Sequence, residues 1–133
     1  MKKVFLIVMI MISILFTIGC EQKKVSINDL INFPDQSPRC IEVLYDDPTI
    51  SPSLITDDGD VAMIVNALFA RVYKEVKTVT PKSNMRIKLI YDTDIEITIS
   101  LNGITDSSQK KYEPLSDDGL ENLILTVLRE DNK

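Results

Sequence analysis

The 133-residue chain contains no histidine and no tryptophan, and it has only two cysteines and four glycines. Without histidine it lacks the side chain that most often serves as a general base or a metal ligand at neutral pH. So few cysteines and glycines exclude disulfide-rich, collagen-like and low-complexity classes. The sequence also contains no glycine-rich phosphate loop and no nucleophile-elbow serine. These absences favour a single globular domain without enzymatic activity and without a cofactor.

The N-terminal segment has the pattern of a secretion signal. Lys2 and Lys3 precede an apolar run over residues 4–16 that a single serine interrupts. A membrane-spanning helix needs roughly 20 apolar residues, so this run is short for a span. Its length and its charged flank are typical of the apolar core of a signal peptide, which we assign to residues 1–19.

The junction Gly19-Cys20 resembles the signal of bacterial lipoproteins, in which a small residue precedes an invariant cysteine; Thr17 stands where that family usually has an aliphatic residue. The resemblance implies cleavage after Gly19 and attachment of a diacylglyceryl group, with palmitate-type chains, to the sulfur of Cys20. Two acyl chains give stable anchoring, so residues 20–133 are expected at the outer face of the cell membrane. An uncleaved N-terminal anchor helix and an ordinary secretory signal are the alternatives.

The chain after Cys20 is acidic and contains one thiol. Cleavage removes two of the 15 basic side chains and none of the 20 acidic ones, leaving a net charge of about −7. This charge argues against a nucleic-acid partner. Cys40 then has no partner for an internal disulfide, and we interpret it as a buried structural residue. Lys23 and Lys24 are expected mainly to keep the chain solvated, with weak attraction to lipid headgroups as the alternative.

Residues 20–38 are predicted to form the lipidated N-terminus and a polar tether, because they combine charged and amide side chains with two prolines. Within the tether, Ser26 and Asp29 are expected to cap one helical turn. A single domain is predicted over residues 39–131.

The first half of the domain is predicted to be a strand over residues 41–45, a short hairpin partner over 53–56, and a helix capped by Thr56 or Asp57. Apolar residues at three- and four-residue steps indicate this amphipathic helix. They are Val61, Ile64, Val65, Leu68, Phe69, Val72 and Val76.

Two adjoining runs, residues 85–91 and 95–101, alternate apolar and polar side chains. Such alternation predicts an antiparallel hairpin with one wet face. On that face Arg86 and Lys88 are expected near Glu96, where they can form cross-strand ion pairs.

The last part of the chain is predicted to contain an edge strand over Lys110 to Leu115, which Pro114 protects from further pairing, and a closing helix after Ser116-Asp117-Asp118-Gly119. The expected order is β(β)αβββα. We therefore predict an α+β fold in which a small antiparallel sheet of three to five strands is covered on one face by two amphipathic helices.

Acidic clusters are the repeated polar feature of the sequence. Asp46-Asp47 and Asp57-Asp58-Gly59-Asp60 would offer oxygen ligands to calcium if the pairing of the first two strands brought them together. The spacing of a calcium-binding loop is absent, and aspartates at a helix start already stabilise it. We therefore predict no metal site.

The layout is similar to that of small, uncharacterised lipoproteins of Gram-positive bacteria with one domain of unknown function, including the pattern Leu115-Ser116-x-x-x-Leu120 at the start of the last helix. This resemblance implies a lipid anchor and no particular mechanism. The leading hypothesis is a non-enzymatic module that binds or modulates an unknown protein of the cell envelope. The alternative is an immunity or exclusion lipoprotein that blocks a toxin, a phage or an envelope enzyme, and an extracytoplasmic enzyme ranks last.

Overall fold

The computed structural model describes residues 23–131, which form eight strands and three helices. All strand pairs are antiparallel and divide into two four-stranded sheets: sheet I has the order β1-β4-β8-β7, and sheet II has the order β3-β2-β5-β6. The strands are β1 (Lys24–Ser26), β2 (Cys40–Tyr45), β3 (Ser53–Ile55), β4 (Val72–Val76), β5 (Met85–Ile90), β6 (Glu96–Ser100), β7 (Ile104–Thr105) and β8 (Lys111–Pro114). The helices are α1 (Ile27–Leu30), α2 (Asp58–Phe69) and α3 (Leu120–Asp131). The predicted α+β class is confirmed, with the strands in two sheets where we expected one.

Sheet II contains both predicted hairpins. β2 pairs with β3, and β5 lies between β2 and β6. On the wet face the Lys88 ammonium is 3.8 Å from a Glu96 carboxylate oxygen and 3.4 Å from one of Glu42. Arg86 instead pairs with Asp46, at 3.3 Å, because the register places it opposite Ser100, away from Glu96.

The helix predicted through Val76 ends earlier. α2 stops at Phe69, and Val72 and Val76 belong to β4, where the fully buried Tyr73 faces the core. Residues four apart share a face both in a helix and in a strand, so these two valines fitted the helical stripe equally well. The prediction of helix over these residues is therefore wrong.

The predicted tether is wrong from Lys24 onward. β1 pairs with β4, and α1 follows it directly with Ile27 fully buried. The predicted capping is confirmed, since the Ser26 side chain accepts a hydrogen bond from Asn28 and the Asp29 carboxylate accepts one from the Ser26 N–H. Further along, the Phe33 ring packs 4.8 Å from the Phe69 ring, centroid to centroid.

The prediction that residues 110–115 form an edge strand is wrong, because β8 lies between β4 and β7. Leu115 donates its N–H to the carbonyl of Val72, so the position of Pro114 one residue earlier faces away from β4. On that side β7 pairs only with Lys111 and Tyr112, so no strand lies opposite Pro114 there. The sheet therefore loses no hydrogen bond through the absence of an N–H on the proline.

One hydrophobic cluster joins both sheets to α2 and α3. α2 packs against α3 and also contacts α1 and β2. No helix within residues 23–131 is long and apolar enough to cross a bilayer. Fully or almost fully buried members of the cluster include Ile27, Ile41, Ile64, Tyr73, Ile87, Leu89 and Ile124.

Candidate functional site

A cleft with a volume of about 270 Å³ lies where β4 begins and β8 ends. Its walls come from the loop before β5, the turn after β6 and the segment leading into α3. We call it the Arg71 cleft, after the buried cation in its wall. Its lining includes Arg71, Ser83, Leu101, Asn102, Asp117 and Glu121.

Arg71 and Asp118 form a paired charge in the wall of this cleft. The Arg71 Nε is 2.6 Å from Asp118 Oδ2, Nη2 is 3.1 Å from Oδ1, and Nη1 donates to the Leu101 carbonyl at 3.1 Å. The Arg71 side chain is 7% exposed and that of Asp118 is 30% exposed. Two parallel hydrogen bonds to one carboxylate fix the orientation of both groups. Gly119, with φ of 73°, then turns the chain into α3.

Both ionised forms are favoured by the pairing. Burial by itself raises the pKa of Asp118, but the hydrogen bonds and the charge of Arg71, with the Leu120 N–H, lower this pKa to below its ordinary value. Burial likewise opposes the charge of Arg71, yet the bond to Asp118 leaves the pKa of the guanidinium raised. The positive charge of Arg71 is therefore largely compensated by the carboxylate of Asp118.

Tyr73, two residues after Arg71, carries a buried hydroxyl. Burial raises the pKa of this phenol, and the neighbouring positive charge of Arg71 opposes that shift. Among the side chains of residues 23–131, this hydroxyl is the buried polar group that lacks a hydrogen-bond partner. Such a group costs stability, because burial removes its bonds to water without replacement.

A hydrogen-bond network holds the rim of the cleft. Asn102 Oδ1 accepts the backbone N–H groups of Lys82 and Ser83, at 2.9 and 2.7 Å, and Asn102 Nδ2 donates to the Ser83 carbonyl at 2.7 Å. Ser83 Oγ donates to Glu121 at 2.9 Å and accepts the Met85 N–H at 3.1 Å. The serine hydroxyl thus links the loop to α3, and its hydrogen-bonding capacity is used in that link.

The acidic clusters do not come together. β2 and β3 pair as predicted, but the pairing is antiparallel and places Asp46-Asp47 and Asp57-Asp58 at opposite ends of the hairpin. Asp47 accepts hydrogen bonds from the N–H and hydroxyl of Thr49, and Asp57 caps α2 by accepting the Asp60 N–H. Within residues 23–131 no three acidic or cysteine side chains are grouped so that they could hold a metal ion.

The other predicted site residues divide between two parts of the chain. Gly19 and Cys20, with the rest of the predicted signal peptide, lie outside the described residues. Cys40 is a free thiol in β2, 6% exposed, which confirms its interpretation as a buried residue.

Sequence patterns do not indicate the pairing of Arg71 with Asp118. Arg71 fell within the predicted helix and Asp118 within the segment expected to cap the next one. A single arginine between the apolar pairs Leu68-Phe69 and Val72-Tyr73 was the signal that could have drawn attention to a buried cation. Comparisons with protein-family models, curated proteins and solved structures found no match to this chain.

Proposed function

We propose that this chain is a lipid-anchored module at the outer face of the cell membrane that binds an envelope protein without catalysing a reaction. The observation that carries the proposal is the Gly19-Cys20 junction at the end of a short apolar run behind two lysines. A diacylated cysteine holds a protein on a membrane stably, because two acyl chains bury many methylene groups at about 0.8 kcal/mol each.

The Arg71 cleft supports binding over catalysis. Its volume of about 270 Å³ lies at or below the lower end of the range for small-molecule sites, roughly 300–1,000 Å³. It therefore suits one inserted side chain of a protein partner better than a whole substrate. The charged pair and the hydroxyl of Ser83 already have partners in the protein, so they shape the cleft and hold it rigid.

The lipid anchor is tested with the two cysteines as a matched pair. Cells that express the chain are fed an alkyne fatty acid, and the protein is analysed by fluorescence after click coupling and by intact mass. We expect label on the parent protein and on Cys40→Ala, and no label on Cys20→Ala. A mature protein that retains Met1 and carries no acyl mass would contradict the proposal.

Partner binding is tested by photo-crosslinking in intact cells. A photoreactive residue replaces Asp117, which is exposed at the cleft, and a control replaces Thr98, which is exposed on β6. We expect one defined adduct from position 117 and none from position 98. Adducts of equal yield from both positions, or from neither, would argue against a partner at the cleft.

A further inference from the structure

Six of the eight lysines within residues 23–131 gather at one end of sheet I. The start of β1, the end of β4 and the start of β8 meet there, as shown by the cross-strand pairs Lys24–Lys74 and Val76–Lys111. Five of the six lysines are exposed, and Lys74 is half-buried beside Glu113, with 3.7 Å between the charged atoms. We call this region the basic end; its lysines are Lys23, Lys24, Lys74, Lys77, Lys110 and Lys111.

The basic end has the opposite sign to the rest of the fold. Only Glu75, Asp106 and Glu113 accompany its six lysines, so its net charge is about +3. The remaining described residues carry six basic and sixteen acidic side chains, a net charge of about −10. A separation of charge this large orients a protein in the field of a charged surface.

The predicted lipid anchor leaves the fold at the basic end. Lys24 is the first residue of β1, and Cys20 precedes it by four residues. Four residues span at most about 14 Å when fully extended, since each adds no more than about 3.6 Å. A lipid on Cys20 would hold Lys24 within about two Debye lengths of the headgroups, because that length is about 8 Å at physiological salt.

We propose that the basic end docks on anionic lipid headgroups and that the Arg71 cleft faces away from the membrane. This inference rests on the proposed anchor at Cys20. Acyl chains combined with a basic patch bind membranes more firmly than either alone, and each lysine near an anionic surface adds about fivefold. Arg71 precedes β4 and Ser116 follows β8, so these two residues of the cleft lie about 16 Å from Val76 and Lys111, at the other end of the two strands. Glu113, which also lines the cleft and pairs with Lys74, lies between the two regions.

The docking is tested by lysine footprinting of the full-length lipidated protein. The protein is reconstituted into vesicles of neutral phosphatidylcholine or of phosphatidylcholine with phosphatidylglycerol, and it is acetylated briefly and digested for mass spectrometry. We expect the exposed lysines of the basic end to react at least threefold more slowly on the anionic vesicles. Lys82 and Lys88, which lie outside the basic end, are expected to react equally on both, and 1 M salt should remove the protection.

Charge-reversal variants separate the location of the lysines from the net charge. In the first variant Lys24, Lys77 and Lys111 are replaced by glutamate, and the protection of the remaining basic-end lysines should be lost. The control changes the net charge equally and reverses Arg39, Lys82 and Arg129, which are exposed outside the basic end. We expect this control to keep the protection of the parent protein.

The same digest reports on the anchor, so the two failures are distinguishable. An acyl mass on the Cys20 peptide with equal lysine reactivity on both vesicle types would overturn the docking and leave the anchor standing. Absence of the acyl mass would overturn both. Protection in intact cells without protection on anionic vesicles would assign the lysines to a different polyanion and overturn docking on lipid.

Discussion

Replacement of Asp118 by alanine tests how much the Arg71–Asp118 ion pair contributes to the stability of the fold around the cleft. The change removes both carboxylate oxygens from Arg71 and leaves Nε and Nη2 of a nearly buried guanidinium without their partner. It also removes the acceptor of the Leu120 N–H, 3.2 Å away, at the start of α3. The bond from Nη1 to the Leu101 carbonyl remains.

The expected loss follows from the exposure of the two groups. Removing one partner of a buried ion pair costs roughly 3–5 kcal/mol, because the other charge stays buried and unpaired. The Asp118 side chain is 30% exposed, so water restores part of the solvation of Arg71. We therefore expect the free energy of unfolding to fall by about 2–3 kcal/mol, of which about 1 kcal/mol is the lost hydrogen bond to the Leu120 N–H. A domain of this size is stable by only about 5–15 kcal/mol in total.

Urea unfolding of the chain from Glu21 onward, followed by circular dichroism, measures this loss. Asp117→Ala is the matched control: the Asp117 carboxylate accepts the Gly119 N–H, whereas the ion pair of Arg71 is with Asp118. The control should lose no more than about 1 kcal/mol. In a double-mutant cycle with Arg71→Ala, the coupling energy should exceed about 1 kcal/mol. Losses for the two aspartate variants that agree within about 0.5 kcal/mol would refute the reasoning.

Three further results are expected. The pKa of Asp118 is lowered in the folded state, so the ionised carboxylate stabilises the fold fully above about pH 5, and this contribution is lost as the pH falls through the folded pKa. When the free energy of unfolding is measured against pH, the difference between the parent protein and Asp118→Asn should therefore shrink from pH 5 to pH 3. Tyr73→Phe removes a buried hydroxyl without a hydrogen-bond partner, so the free energy of unfolding should stay unchanged or rise by about 1 kcal/mol in thermal unfolding. A fall of about 1 kcal/mol would contradict the absence of a partner for this hydroxyl. Gly103→Ala would place a new Cβ against the carbonyl oxygen of Tyr112 and should lower the free energy of unfolding in urea by about 2 kcal/mol or more. In the control, Gly59→Ala, the new Cβ meets only the side chain of Asp57, and the free energy of unfolding should change by less than about 1 kcal/mol.

The sequence alone was sufficient to predict those elements whose residues match a single secondary-structure period or a single helix-capping pattern. Alternation over residues 85–101 matches a strand and no helix, so it determined the β5–β6 hairpin and its buried face. Ser26 with Asp29, and Asp57 with Asp60, are separated by three residues, which is the spacing at which a side chain reaches a helix-end N–H. These features were therefore predictable from the sequence without any knowledge of the rest of the chain.

Tertiary structure decided the secondary structure of segments whose residue spacing fits more than one element, and it decided contacts between residues far apart in the chain. Val72 and Val76 fit a helix and a strand equally, and pairing of β4 with β1 and β8 settled them as strand. β1 itself has three residues and is a strand because β4 offers a ladder and Tyr73 a buried neighbour for Val25. Arg71 and Asp118 are 47 residues apart, so no periodicity could join them. They meet because the two sheets and α3 converge at one point, where a buried cation requires a carboxylate.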